Sequence, residues 1–396
     1  MSDPKGHRHA VILSGGGAYG AYEVGAMTAL FNGQSAATDY QPLDAEIFTG
    51  TSAGALNAAF MTMRPGETAA ATVSDLERIW IEELSDHPRK CGNGVYRFRG
   101  DPLRFFEPEC VLTQPAEQAL TVANDAAFFA EYVFTRGTNF LRSSAGFPER
   151  AFHLFDLSAF ISVEPLRHNI RRFVEFDGIR RSHKSLSVAT TNWVTGDVKV
   201  FQNKDMTDEW GSPILQASAA TPGIFPPVKI AGDVYVDGGV VMNTPLECAI
   251  RAGATTLHVI YLDPDVGTIP IRRLQNTLDT LSKMFTIMFA TVANEDIDHA
   301  REINLGLGLL DRIARGETVS DHHDLNLIRF AGWVMNLKRP ISYRKLTIHR
   351  YRPVGELGGS MGMLNFNQDV IVNSIARGLN DTINHDCASS HCVLPD

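Results

Sequence analysis

The chain opens its regular patterning at His9 to Leu13, a short apolar run that predicts a buried strand. A glycine loop follows, then an apolar stretch from about Ala18 to Phe31 that predicts a helix, with Asn32-Gly33 where a C-cap glycine is expected. The unit repeats. Ala45 to Phe48 reads as a short strand, Gly50 to Gly54 as a tight turn, and Ala55 to Met63 as an alanine-rich helix stopped by Pro65-Gly66. From about His87 to Phe152 the rhythm breaks into Cys-Gly-Asn-Gly, several prolines and the pairs Phe105-Phe106 and Phe128-Phe129, which predicts an inserted, partly helical cap.

Lys184 to Thr191 returns as a strand, and Val228 to Val236 predicts a hairpin whose arms flank Ala-Gly-Asp. Thr244 to Ala252 predicts a helix with Thr244 as N-cap and Pro245 at its first position, and Leu257 to Leu262 a further strand. Strands alternating with helices imply a mainly parallel sheet covered on both faces, an α/β fold. Beyond Asp263 the pattern is mostly helical to about Leu337, then gives a strand at Lys345 to Arg350 and a last helix near Asn367 to Asn384.

Composition excludes several classes. A net charge of -9 over 396 residues argues against general nucleic-acid binding, which needs a basic surface to displace counterions. The local cluster Arg167, Arg171, Arg172, Arg180, Arg181 and Lys184 is read as a solvated helix face and loop rather than a membrane contact. Five scattered cysteines in a chain of this size suit a reducing compartment. The polar start MSDPKGHRHA lacks the apolar region of a cleavable signal, so a cytoplasmic location, with membrane contact only peripheral, is expected; export by another route stays open. His385, Cys387, His391 and Cys392 are metal-ligand types, but their spacing matches no zinc pattern and they lie at a terminus prone to fray, so no metal is expected there.

Three segments carry candidate chemistry. Gly50-Thr51-Ser52-Ala53-Gly54 fits a nucleophile elbow, in which a strand-to-helix bend forces the serine into strained backbone and glycines prevent clashes. Ser14-Gly15-Gly16-Gly17-Ala18-Tyr19-Gly20 follows a strand and opens a helix, so its free N–H groups favour an anion. That anion is either an oxyanion or a dinucleotide pyrophosphate, since Gly15, Gly17 and Gly20 also fit G-x-G-x-x-G. The ribose-binding acid expected after the second strand is missing, because Thr49-Gly50-Thr51-Ser52 stands there. Asp237-Gly238-Gly239 closes the hairpin, where an aspartate beside two glycines points into a site with little crowding or simply bonds its own turn.

In this order the three segments resemble the patatin-like acyl hydrolases, and so do the stretch from Ala217 to Pro227 and the triplet Asn243-Thr244-Pro245. The resemblance implies a three-layer α/β/α sandwich over 9–263, with the cap at about 87–155, a helical extension over 264–385, and tails at 1–8 and 386–396. It implies Ser52 as nucleophile, Asp237 as base, and Gly15, Gly16 and Gly17 as the oxyanion loop. Gly20, Gly50, Gly54, Gly238 and Gly239 complete the motifs. One position departs: Tyr19 stands where the family carries a basic residue. The function implied is lipid ester hydrolysis of the phospholipase A or lysophospholipase type, with a lipid substrate and no cofactor. A non-catalytic lipid-binding scaffold and a dinucleotide-dependent oxidoreductase are the rivals. The Phe-rich stretch from about Tyr96 to Phe155 is a candidate lid or acyl-chain wall, and Leu281 to Ala293 a candidate membrane contact; ordinary core is the simpler reading of both.

Overall fold

A computed structural model describes residues 8–86, 92–100, 115–142, 160–263 and 344–395 apart from 356 and 358, together with 300–308 and isolated positions between 284 and 315. Its strands are β1 (His9–Leu13), β2 (Ala45–Thr51), the small pair β3 (Arg97–Phe98) and β4 (Ile161–Ser162), β5 (Ser185–Asn192), β6 (Val198–Gln202), β7 (Val228–Ile230), β8 (Asp233–Asp237), β9 (Thr256–Ile260) and β10 (Thr347–Tyr351). All but β3 and β4 form one sheet, in the order β10-β9-β1-β2-β5-β8-β7 with β6 also paired to β5. From β10 to β5 the pairings are parallel, whereas β6 and β8 run antiparallel to β5 and β7 antiparallel to β8.

Successive side chains of a strand point to opposite faces, and the two apolar cores follow that alternation. Val11, Leu13 and Phe48 join the larger core, while Ala10, Ile12 and Ile47 join a second one with Leu246, Ala249, Leu257 and Val259. The larger core takes α1 (Gly20–Phe31), α2 (Ala53–Thr62), α3 (Ala69–Ile79), α5 (Glu164–Phe173), α6 (Phe176–Arg181) and α7 (Gly211–Ser218); the second takes α8 (Leu246–Arg251). The expected three layers are therefore present. The inserted region contributes α4 (Pro115–Arg142), whose Asp125 pairs with Arg97 of β3 at 2.7 Å. The last helix, α9 (Gln368–Ile383), lies against α1 so closely that a Cβ on Gly25 would meet the Ile375 carbonyl and one on Gly378 the Tyr22 carbonyl.

The structure departs from the sequence pattern at several points. The helix predicted from Thr244 begins at Leu246, and Thr244 bonds Ser14 Oγ at 2.9 Å instead of capping it. Ala231 (φ 51) and Gly232 (φ 97) form a tight two-residue turn between β7 and β8, with Asp233 already in the strand. Lys184, read as part of a solvated face, is buried: its Nζ donates to the Met61 carbonyl at 3.1 Å and lies over the Phe48 ring. Arg167, Arg180 and Arg181 of that cluster do reach solvent and pair with Glu164, Asp177 and Asp208. Most of the helical stretch predicted after Asp263, and Leu281 to Ala293 apart from two positions, lie outside the described residues. Among the described residues no helix is long and apolar enough to cross a membrane.

Candidate active site

Ser52 sits between β2 and α2 with φ 55 and ψ -123, a conformation that L-residues adopt only where the surroundings enforce it. The flanking glycines explain the enforcement. A Cβ on Gly50 would meet the Gly54 carbonyl, and one on Gly54 the Leu13 carbonyl, so strand and helix close on each other at van der Waals contact. The Ser52 N–H donates to Ser218 Oγ at 2.9 Å, and Ser218 donates to the Ala189 carbonyl at 2.7 Å, which fixes the bend to β5. The residue is only 6% exposed.

Asp237 ends β8 and is 2% exposed. Its Oδ1 accepts the Gly239 N–H and its Oδ2 the Thr221 hydroxyl, each at 2.8 Å. Ser52 lines the same cavity as Asp237. Burial pushes the Asp237 carboxyl up to about 6, and the bonds from Gly239 and Thr221, followed by the nearby Ser52 hydroxyl, hold it down by favouring the charged form. A carboxylate poised there is ionised at neutral pH yet basic enough to exchange a proton.

The glycine loop is divided in its roles. The Gly15 N–H is already taken, donating to the Asn243 carbonyl at 3.2 Å and to Asn243 Oδ1 at 3.1 Å. Gly16 and Gly17 instead line the cavity that holds Ser52 and Asp237, at the opening of a one-turn 3-10 helix (Gly17–Tyr19) that leads into α1. Behind the loop, Asn57 Nδ2 donates to the Gly20 carbonyl at 3.0 Å and to Glu23 Oε2 at 2.8 Å, while Trp80 Nε1 donates to Asn57 Oδ1 at 2.9 Å. Burial drives the Glu23 carboxyl well above its ordinary range, with bonds from Asn57 and the Ser14 backbone opposing.

The rest of the cavity is apolar. Leu56, Trp80, Val95, Leu166, Phe225 and Phe366 are among its walls, drawn from the sandwich, the edge of the inserted region and the segment before α9. No histidine is among the lining residues described. Tyr96 anchors the inserted region here, its hydroxyl donating to the Leu364 carbonyl at 2.8 Å. Sequence reasoning did not assign roles to Ser218, Thr221 or Asn243. All three lie in the stretches it matched by resemblance, which was the signal available.

A family model described as Patatin-like phospholipase matches residues 11–250, the span that carries the elbow, the glycine loop and Asp237. The chain belongs to the patatin-like phospholipase family. Membership makes it a hydrolase of lipid acyl esters in general terms, and the patatin-like fold is the sandwich described above. No curated protein matches the chain. Among solved structures, VipD from Legionella pneumophila is similar over 98% of this chain and 67% of that one, at 16% identity and a TM-score of 0.37. A likeness of that depth bears on neither chemistry nor substrate.

Proposed function

We propose that this patatin-like protein cleaves carboxylic esters of phospholipids or lysophospholipids through a Ser52 and Asp237 dyad. The observation that carries the reading is the buried Asp237 carboxyl, raised to about 6 and lining the same cavity as Ser52 in its strained bend. Ser52 gives its proton to Asp237 as its Oγ attacks the ester carbonyl. Negative charge then builds on the carbonyl oxygen. The N–H groups of Gly16 and Gly17 are the donors for it, since helix-opening amides lack intrahelical partners and the Gly15 amide is committed to Asn243. The departing alcohol takes the proton from Asp237, leaving an acyl-Ser52 ester. Water then gives a proton to Asp237, attacks that ester and releases the fatty acid, with the proton returning to Ser52.

The apolar walls suit an acyl chain, and enclosure strengthens every charge interaction at the reacting centre. Labelling with a fluorophosphonate tests the nucleophile: the adduct belongs on Ser52, and an adduct elsewhere or none at all rejects the dyad. A panel of lipids read by mass spectrometry tests the substrate class, with free fatty acid as the expected product.

A further inference from the structure

The C-terminal turn contains a second constellation, far from the ester site. His385 and Cys387 follow α9, Cys392 closes the next turn, and His349 reaches them from β10. One ligand atom from each of these four residues lies within 4.8 Å of all the others. Cys387 Sγ is 3.4 Å from His349 Nδ1 and 3.5 Å from His385 Nε2, and Cys392 Sγ is 3.4 Å from His385 Nε2. A Zn²⁺ ion bound to sulfur at ~2.3 Å and nitrogen at ~2.0 Å in a tetrahedron sets sulfur-to-nitrogen edges of roughly 3.5 Å. The three contacts match that edge.

We propose that His349, His385, Cys387 and Cys392 bind one Zn²⁺ ion as a closed structural site that fastens the C-terminal turn to the sheet. Two thiols and two imidazoles are the donor set that selects zinc. Binding displaces one proton from each thiol, so two thiolates cancel the charge of the ion and the half-buried site stays neutral. The surroundings are arranged for ligation. His385 turns Nε2 to the sulfurs while Nδ1 meets Ser390 Oγ at 3.3 Å, a hydroxyl that can accept the Nδ1 proton and so leave the Nε2 lone pair for the metal. The turn itself is built: Asp386 accepts the Ala388 and Ser389 N–H groups, and the Cys392 N–H donates to the Cys387 carbonyl at 3.0 Å.

The spacing of His385, Cys387 and Cys392 matches no zinc pattern because the fourth ligand comes from a strand distant in sequence. His391, which the sequence grouped with them, is not among the four; its carbonyl accepts from Arg301 at 2.7 Å. The role follows from position. Among the described residues β10 ends the sheet order, and Ile348 pairs with Val393 in both directions, at 2.8 and 2.9 Å, so the clamped turn pairs with the outer edge of that strand. β9 and β1 separate it from β2 and Ser52, and four protein ligands leave no position for a substrate.

The test is metal analysis of the purified full-length chain, with Co²⁺ exchanged for Zn²⁺ as a spectroscopic probe. About one zinc per chain is expected, and the cobalt form should show the intense visible bands and the thiolate charge-transfer band of a tetrahedral S₂N₂ site. The Cys387→Ser, Cys392→Ser double variant should lose at least about nine-tenths of the metal. Substoichiometric zinc with an octahedral cobalt spectrum in the unaltered chain overturns the proposal, whether or not the variant folds. So does full zinc retention in the double variant, or an intact mass showing Cys387 and Cys392 joined as a disulfide after reductant-containing purification.

Discussion

Ser52 and Asp237 are brought together by consecutive residues of one strand: Thr51 stands opposite Ala189 on β5, and Asp237 stands opposite Thr190. β2 runs parallel to β5 and β8 runs antiparallel to it, so the two strands arrive from opposite directions and end beside each other. The residue after β2 and the last residue of β8 therefore meet without any loop needing to place them. Ala189 also accepts the Ser218 hydroxyl, and a Cβ on Gly238 would strike its carbonyl. The proposed dyad thus rests on sheet register, which a packed core holds more rigidly than a loop does.

Replacing Ser52 separates chemistry from strain. Ser52→Ala should lower ester hydrolysis by roughly 10⁴-fold or more, because it removes the hydroxyl that the strand-to-helix bend presents as nucleophile. Ser52→Gly should be as inactive yet more stable than the parent by about 1 kcal/mol, since glycine tolerates φ 55 while a Cβ does not. Urea unfolding of the three proteins checks this. A glycine variant less stable than the parent would show that the elbow stores no strain.

The two cavity-facing glycines should respond unequally to alanine. A Cβ on Gly16 meets only the Leu262 side chain, Cδ1 at 2.7 Å and Cβ at 3.0 Å, whereas one on Gly17 meets the Met363 carbonyl, and Gly17 also has φ 57. Gly17→Ala should cost about 10²- to 10³-fold in kcat by moving its N–H off the oxyanion, with KM changed little. Gly16→Ala should cost less. Steady-state kinetics on a soluble short-chain ester decides, and equal losses confined to KM would remove the oxyanion role.

Much of this site is legible in the sequence because its parts are short and local. Glycines at 50 and 54 announce contacts closer than any side chain allows, and the aspartate before two glycines ends a recognisable hairpin. What stayed hidden depends on partners distant in the chain. Thr244 looks like a helix cap until Ser14 claims its hydroxyl, and the Gly15 amide looks free until Asn243 takes it. Lys184 reads as solvated because sequence does not reveal that the Met61 carbonyl waits beneath it, over the Phe48 ring. Thr221 and Ser218 are hydroxyls in a run of small residues, and only the fold aims them at Asp237 and Ser52.

Thr221→Val should change the pH profile more than the maximal rate. The lost hydroxyl stabilises the charged form of Asp237, and a hydrogen bond to a charged acceptor is worth about 1.5–3 kcal/mol. At ~1.4 kcal/mol per unit, the acid limb should move up from about 6 by roughly 1–2 units. Activity would then fall steeply at about pH 6.5 and recover above about pH 9. An unchanged limb would mean that Thr221 only packs.

Asp237→Asn tests the base and the burial together. Without a group to take the Ser52 proton, turnover should drop by about 10³- to 10⁴-fold, while the parent loses activity as pH falls through about 6 because it needs the ionised carboxylate. Stability should move the other way. The folded pKa is raised from 3.8 to about 6, so the buried group opposes folding once it must ionise: the cost is absent below about 4, grows between 4 and 6, and is fully present above. Two units correspond to roughly 3 kcal/mol, an upper bound for the gain on substitution because one donor, Thr221 or Gly239, would then face the Asn amide. The difference in unfolding free energy, variant minus parent, should therefore become more positive from pH 4 to 6 and level off above it. Denaturant unfolding across that range reads this directly. A difference that stays flat would place the Asp237 pKa near its ordinary value and remove the physical basis for carboxylate catalysis here.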